Sequence, residues 1–446
     1  MSRPFPSGGS FASRRQVAAR IDDLAAHLRT PMYRNAYALM LSNVLTSGLG
    51  IVYWALAARI YPADAVGRNS ALISSMTFLA GVSQLNLRSA LNRFIPEAGE
   101  RTARLIGFAY LATLPVTVVV GLAFFAIITT ASPGSAQAAL AAMPLAVIGF
   151  IVATAAWSIF NMQDGVLTGL RQALVVPVEN STFSLVKIAL LVAFAGLATY
   201  GIFLSWAIPT VIGVVLISLV VFRWLIPIHV AASREVARPL ELARIVRFVA
   251  GDYLGALCVL AYVSLLPVIV IDRAGPEAGA YFYIVWIIAT SLNLLPLSIT
   301  ISHTVETVST KGDPIARTRG ALLHAMRLLI PIVAVITIGA PWILAIFGHG
   351  YAANGTDLLR LLALSVIPYS INLIYFSLAR IRARVSGIVV VQAILAVLTL
   401  GLSYPLLDAL GVTGIGVAWL VSQGSVAIVL LATELRPVLL SRGQGY

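Results

Sequence analysis

Apolar residues in this chain neither alternate with polar ones nor form narrow stripes. They run nearly unbroken for about twenty residues or more and stop at short breaks rich in Arg, Gly and Pro. Such runs occupy about 33–60, 70–91, 105–131, 140–162, 177–198 and 202–224; after a basic connection they resume at 246–271, 280–302, 320–347, 358–379, 385–407 and 412–433. A helix needs about 20 apolar residues to cross the hydrocarbon of a bilayer. Membrane barrel strands are about half that length and alternate in polarity. The pattern therefore predicts an all-α, polytopic membrane protein with about twelve transmembrane helices.

Composition agrees with the pattern. Of 446 residues, 59% are hydrophobic and only 11% charged, against roughly 25% charged in soluble domains. That excludes an ordinary soluble enzyme. The formal charge of +13 suits nucleic acid or an anionic membrane surface, so the positions of the charges decide. With the N-terminus inside, 23 of the 30 Lys and Arg residues fall on cytoplasmic segments, and only Arg59, Arg68, Arg273 and Arg360 fall outside. Arg88, Lys187 and Arg327 are left within spans. One missed span would invert every later loop, so the asymmetry supports the helix count and predicts two cytoplasmic termini in a cell inner membrane. The basic excess is then an orientation signal facing membrane lipids, and no nucleic acid partner is expected. Residues 13–29 place Val17, Ile21, Leu24 and Leu28 on one helical face, which predicts a basic amphipathic helix on the membrane surface. A single cysteine, Cys258, offers no disulfide or thiolate cluster, and no cleavable leader is expected ahead of the first run.

The two halves of the chain resemble each other. Arg59-x-x-Pro62-x-Asp64-x-x-Gly67 recurs as Arg273-x-x-Pro276-Glu277-x-Gly279 at an offset of 214 residues. At an offset of 213, Gly201, Ile202 and Trp206 fall on Gly414, Ile415 and Trp419, and Arg171 falls on Arg384. These registers predict a basic tail (1–32), a first six-helix half (33–224), a cytoplasmic linker (225–244), a second half (245–434) and a short tail (435–446). Both halves begin on the same side, so a pseudo-two-fold axis along the membrane normal relates them. That is a transporter architecture, with the cargo path between the halves and alternating access by rocking of one half against the other.

Asn35-Ala36, Trp54-Ala-Leu-Ala-Ala-Arg59-Ile-Tyr-Pro-Ala-Asp64-Ala-Val-Gly67, Ser70-Ala-Leu-Ile and Asn92-Arg93-Phe94-Ile-Pro96-Glu97 resemble the opening helices of the polysaccharide biosynthesis (oligosaccharide flippase, O-antigen flippase type) family. That family belongs to the multidrug/oligosaccharidyl-lipid/polysaccharide exporter superfamily. The resemblance covers about residues 33–100. It implies a flippase that moves a polyprenyl-diphosphate-linked sugar or oligosaccharide to the outer leaflet for cell-surface polysaccharide synthesis, with a glycan polymerase or glycosyltransferases as possible partners.

An ionisable group inside a span costs about 2.5–3.5 kcal/mol on insertion scales, so each such group needs a partner, an aqueous cavity or a functional use. Lys187 lies near the middle of its run, and Glu179 is two helical turns away, where both can face one cavity or pair with neighbouring helices. Arg88, Asp252 and Arg327 sit at similar depth near the cytoplasmic side, where Arg suits a diphosphate headgroup. These five are the candidate substrate-binding residues. Arg59, Asp64, Asp272 and Arg273 meet at the outer ends of the repeats and are candidate gating residues, with helix-end structure as the alternative. His303 and Glu306 have a metal-like spacing without a third ligand, so no metal is expected. No phosphate-binding Gly-x-x-x-x-Gly-Lys-[Ser/Thr] motif occurs, so neither ATP hydrolysis nor another cofactor is expected and the coupling ion is open. A cation-coupled multidrug antiporter of the same superfamily is the alternative function; against it stand the absence of Asp and Glu from 33–61 and the positive charges within spans. An enzyme acting on lipid-linked sugars is the third reading, weakened by short outside loops.

Overall fold

The computed structural model describes residues 31–197, 199–233, 241–300, 314–382 and 384–440. The amphipathic helix expected at 13–29, the His303/Glu306 pair, and parts of the linker and both tails lie outside the described residues. Among the described residues every regular element is helical. In the first half these are α1 (Pro31–Ile60), α2 (Ala63–Ser83), α3 (Leu87–Ala98), α4 (Thr102–Ala131), the short α5 (Ala136–Ala141), α6 (Pro144–Gly169), α7 (Val175–Ala193), α8 (Gly201–Val220) and α9 (Ile226–Ser233). The second half holds α10 (Leu242–Leu292), α11 (Pro314–Ala345), α12 (His349–Ile381), α13 (Val385–Leu410), α14 (Val412–Ala432) and α15 (Arg436–Leu440).

Among the described residues ten stretches are long and apolar enough to cross a membrane. One of them holds two passes, and another holds the end of one pass with the whole of the next, the rest of the second pass being α2. Leu87–Ala131 joins α3, the lower part of the second pass, to the third, and Tyr253–Thr300 doubles back within α10. At 51 residues, α10 would be about 75 Å long if straight, more than twice the hydrocarbon thickness. Gly275, at φ 87°, breaks it just ahead of Pro276, because a left-handed backbone without a Cβ is available there and the following Pro cannot continue a helix. The result is twelve passes in two six-helix halves.

Helix ends depart from the apolar runs in places. A π-helical turn at Val221–Leu225 carries α8 straight into α9, so the sixth pass continues to Ser233, inside the stretch expected as linker. The gap between the apolar runs 320–347 and 358–379, expected as an outside connection, is helical, since α12 begins at His349. Within the second pass, Leu85 and Asn86 both adopt left-handed backbone (φ 51° and 54°) and separate α2 from α3. Discontinuous helices of this kind accompany binding sites in transporters.

The halves meet along α2, α3 and α10. At the end of the molecule opposite the arginine-rich connections, Gly67 of α2 rests on the backbone of Pro276; a Cβ on Gly67 would lie 1.8 Å from that carbonyl oxygen. These are the two repeat-related turns found in the sequence, packed on one another. Halfway down, Trp54 meets Tyr283 with ring centroids 4.7 Å apart. At the arginine-rich face, Tyr253 donates to the Val82 carbonyl at 2.7 Å and Arg244 pairs with Glu97 at 3.0 Å. The repeat also shows in Gly201 and Gly414, where a Cβ would lie 2.6 Å and 1.9 Å from the carbonyls of Phe194 and Leu406. Gly67→Leu is expected to destabilise the protein by about 1–3 kcal/mol through overpacking against backbone that cannot yield. Thermal unfolding of the purified variant in detergent measures this.

Candidate functional site

Lys187 lies in the middle of α7 and is only 4% exposed. Its ammonium nitrogen sits 3.8 Å from the ring centroid of Trp206, 4.6 Å from Tyr53 and 5.3 Å from Phe183. Three helices build this cage: α1 supplies Tyr53, α7 supplies Phe183 one turn before the lysine, and α8 supplies Trp206. Tyr53 is fixed by donating to the Ile202 carbonyl at 3.1 Å and sharing a hydrogen bond with Ser205 at 2.8 Å. Behind it, Trp157 and Phe160 stack at 5.5 Å and close on Trp206 and Phe183. Among the described residues no carboxylate pairs with Lys187. Ring faces offset part of the desolvation of an ammonium, about 2 kcal/mol in a dry site, yet leave its net charge uncompensated.

Two turns earlier on α7 the chemistry changes sign. Glu179 is 7% exposed, and neither of its carboxylate oxygens has a hydrogen-bond partner among the described residues. It lies within electrostatic reach of Asp164 on α6 and Tyr110 on α4. Asp164 is held by Arg88 at 3.0 Å and faces the Asn180 amide at 3.4 Å. Gln163 adds a fully buried Oε1 without a partner, while its Nε2 donates to the Val214 carbonyl at 3.1 Å. Arg88 reaches Asp164 because the left-handed break before α3 turns that helix toward α6. Glu179 and Lys187, expected to face one cavity, thus have separate surroundings: a polar cluster near the arginine-rich face and an aromatic cage deeper in.

The remaining expected residues divide. Arg327 is exposed on α11 and the structure gives it no contact with the cage; Asp252 lies on α10, with its side chain outside what is described. Arg59 joins the halves by donating from Nε to the Ile346 carbonyl at 2.9 Å and from a terminal nitrogen to Ala345 at 3.0 Å and Ile346 at 2.8 Å. Its partner is the negative end of α11, whose last carbonyls have no helical donor, rather than an acidic side chain. Asp64 pairs with Arg68 on its own helix. Arg273 approaches Asp408 within its own half at 3.9 Å. Asp272, with Arg68, Gln137 and Pro276, lines a cavity of about 330 Å³ where the halves join.

Arg59→Gln is expected to loosen this face. Losing about 1 kcal/mol of coupling between the halves changes the open population roughly fivefold. Alkylation of a Gln137→Cys reporter in a Cys258→Ser background by a membrane-impermeant maleimide should accelerate accordingly.

Sequence reasoning missed the second half's interior. Asn372 on α12 and Gln423 on α14 are fully buried and joined at 2.8 Å. Two sets of ring contacts flank them: Trp54 of the first half meets Tyr283, and Phe282, Trp286, Trp419 and Tyr262 are in contact within the second half. The 213-residue repeat was the available signal, since it aligns Trp206 with Trp419, Glu179 with Gln392 and Lys187 with Leu400.

No known family profile matches the chain, and no curated protein matches it in sequence. Solved structures do match in shape. A MATE in complex with MaL6 superposes with a TM-score of 0.60 at 18% identity, covering 93% of this chain and 98% of the other. An inward-facing multidrug resistance MATE family transporter of the MOP superfamily gives 0.61 at 19%, covering 94% and 99%. The fold is that of the MATE transporters. A MOP superfamily transporter from Pyrococcus furiosus Vc1 (DSM3638) gives 0.61 at 16%, covering 93% and 98%; its description states that the reverse polarity of its binding pocket suggests a different function. At these identities the likeness establishes the fold, and the chemistry rests on this chain's own residues.

Proposed function

We propose that this chain is a secondary transporter of the MOP type that exports an amphiphilic solute by alternating access, with the aromatic cage around Lys187 as its charged recognition site. The observation carrying this reading is a buried ammonium, caged by rings and without a carboxylate, inside a two-half helical fold. Such a pocket attracts an anion and repels a cation. An anionic amphiphile such as a polyprenyl-diphosphate-linked saccharide fits it, in line with the family resemblance over residues 33–100.

The structural neighbours favour the other cargo. Those whose descriptions name a cargo class are multidrug resistance transporters, so on likeness alone the multidrug antiporter is the better supported reading. One feature of this chain also favours antiport: Glu179 beside Asp164 is a buried carboxylate without a partner, suited to carrying a proton or a monovalent cation. Lys187 and the acid-free α1 weigh against organic cations as the exported solute. A deletion strain separates the two. Loss of a surface glycan with unchanged sensitivity to cationic drugs supports the anionic cargo, and the reverse outcome establishes the drug exporter.

A further inference from the structure

The second half carries the counterpart tryptophan of the first, Trp419 for Trp206, but among the described residues none of its buried charge. At the 213-residue offset, Gln392 stands for Glu179 and Leu400 for Lys187. What remains is a set of neutral amides. Asn372 donates to the Gln423 side chain at 2.8 Å and to its backbone carbonyl at 3.2 Å. Among the described residues that pairing leaves Asn372 Oδ1 and Gln423 Nε2 without partners, and Gln392 Oε1 and Ser422 Oγ likewise have none. All four residues are at most 8% exposed. Trp419, one turn before Gln423, packs edge-on against Tyr262 and Trp286 at 5.5 Å and 4.9 Å. Gln392 reaches Gly255 on α10, two turns before Tyr262, where a Cβ would lie 2.2 Å from its Oε1.

Orphaned amide groups in a helical core cost about 1–3 kcal/mol each. Structural glue between helices would use both ends of each amide; the Asn372–Gln423 pair leaves one acceptor and one donor free side by side, and Gln392 adds a further acceptor where it meets α10. We propose that Asn372, Gln392 and Gln423, with Trp419 and Tyr262, form a binding site in the second half for a neutral, hydroxyl-rich group, a saccharide moiety of the cargo. An amide presents a donor and an acceptor side by side and so matches neighbouring hydroxyls, each of which is both. An aromatic face beside it covers the apolar C–H surface of a sugar ring. A charged ligand finds no counter-charge here. The proposal rests on the transport reading only in making this group part of the cargo; charge would be recognised in the first half and hydroxyls in the second.

The test is equilibrium binding to the purified full-length chain in detergent, followed by tryptophan fluorescence and by calorimetry, with maltotriose and triacetylchitotriose as uncharged probes. Saturable binding of at least one probe is expected, weakened about tenfold or more in Asn372→Leu/Gln423→Leu, which removes two or more hydrogen bonds. Melting temperature checks that this variant is folded, and Gln392→Met provides an independent lesion with the same expected direction. No saturable binding of either probe, or equal affinity in the folded amide variants, overturns the site. Failure of the transport reading is separate: it shows as absent vesicle transport with saccharide binding intact.

Discussion

Lys187→Met is expected to abolish export while leaving the fold as stable as before or more so. Most substitutions that destroy function inside a helical bundle do so by destabilising it. Here the wild-type residue is the costly one: a charge within a span costs about 2.5–3.5 kcal/mol on insertion scales, and the three ring faces return about 2 kcal/mol. Methionine fills similar volume, keeps contact with Trp206, Tyr53 and Phe183, and removes the charge. Thermal unfolding should move upward or stay level, whereas export should fall more than tenfold. With the ammonium gone, the site should also gain affinity for an organic cation such as tetraphenylphosphonium, measured by quenching of tryptophan fluorescence. Wild-type export by Lys187→Met would show that the ammonium is structural.

The second large effect is expected at Glu179. Glu179→Gln preserves shape and removes the charge of a carboxylate that has no hydrogen-bond partner. Stability should therefore hold. If this group carries the coupling ion, export driven by a proton or sodium gradient should drop at least tenfold, while exchange of cargo between two pools without a gradient continues. Vesicles loaded with cargo and assayed with and without an imposed gradient distinguish these rates. Equal loss of both rates would place Glu179 in cargo binding instead of coupling. The repeat supports the comparison, because the second half already carries the amide, Gln392, at the equivalent position.

Much of the architecture was legible from residue pattern because lipid imposes it. A run of apolar residues must become a helix that satisfies its own backbone, and the sorting of arginines follows from the same topology. The turn repeat at Arg59 and Arg273 was readable for a similar reason: its Pro and Gly residues serve a close contact, seen as Gly67 against Pro276. Partners were not legible. Depth singled out Lys187, but its cage draws on α1, α7 and α8, which lie up to 153 residues apart in the chain (Tyr53 to Trp206). Arg88 looked like a headgroup ligand because Asp164, near the end of α6, went unnoticed as its partner at 3.0 Å. Arg59 was read as a gate or as helix-end structure, and its actual partners, the backbone carbonyls of Ala345 and Ile346, carry no mark in sequence. Asn372 and Gln423 escaped because neutral amides in a long apolar run raise no charge signal.

Transport by the purified chain in vesicles of defined lipid composition is the most direct measurement of the central claim. A fluorescent polyprenyl-diphosphate-linked saccharide placed in one leaflet, beside a fluorescent organic cation as the competing cargo, is followed by its accessibility to a reagent on the far side. The expected result is transfer of the lipid-linked saccharide by the wild type, loss of that transfer in Lys187→Met, and no movement of the cation by the wild type. Transfer of the cation with the lipid-linked saccharide left in place would contradict it.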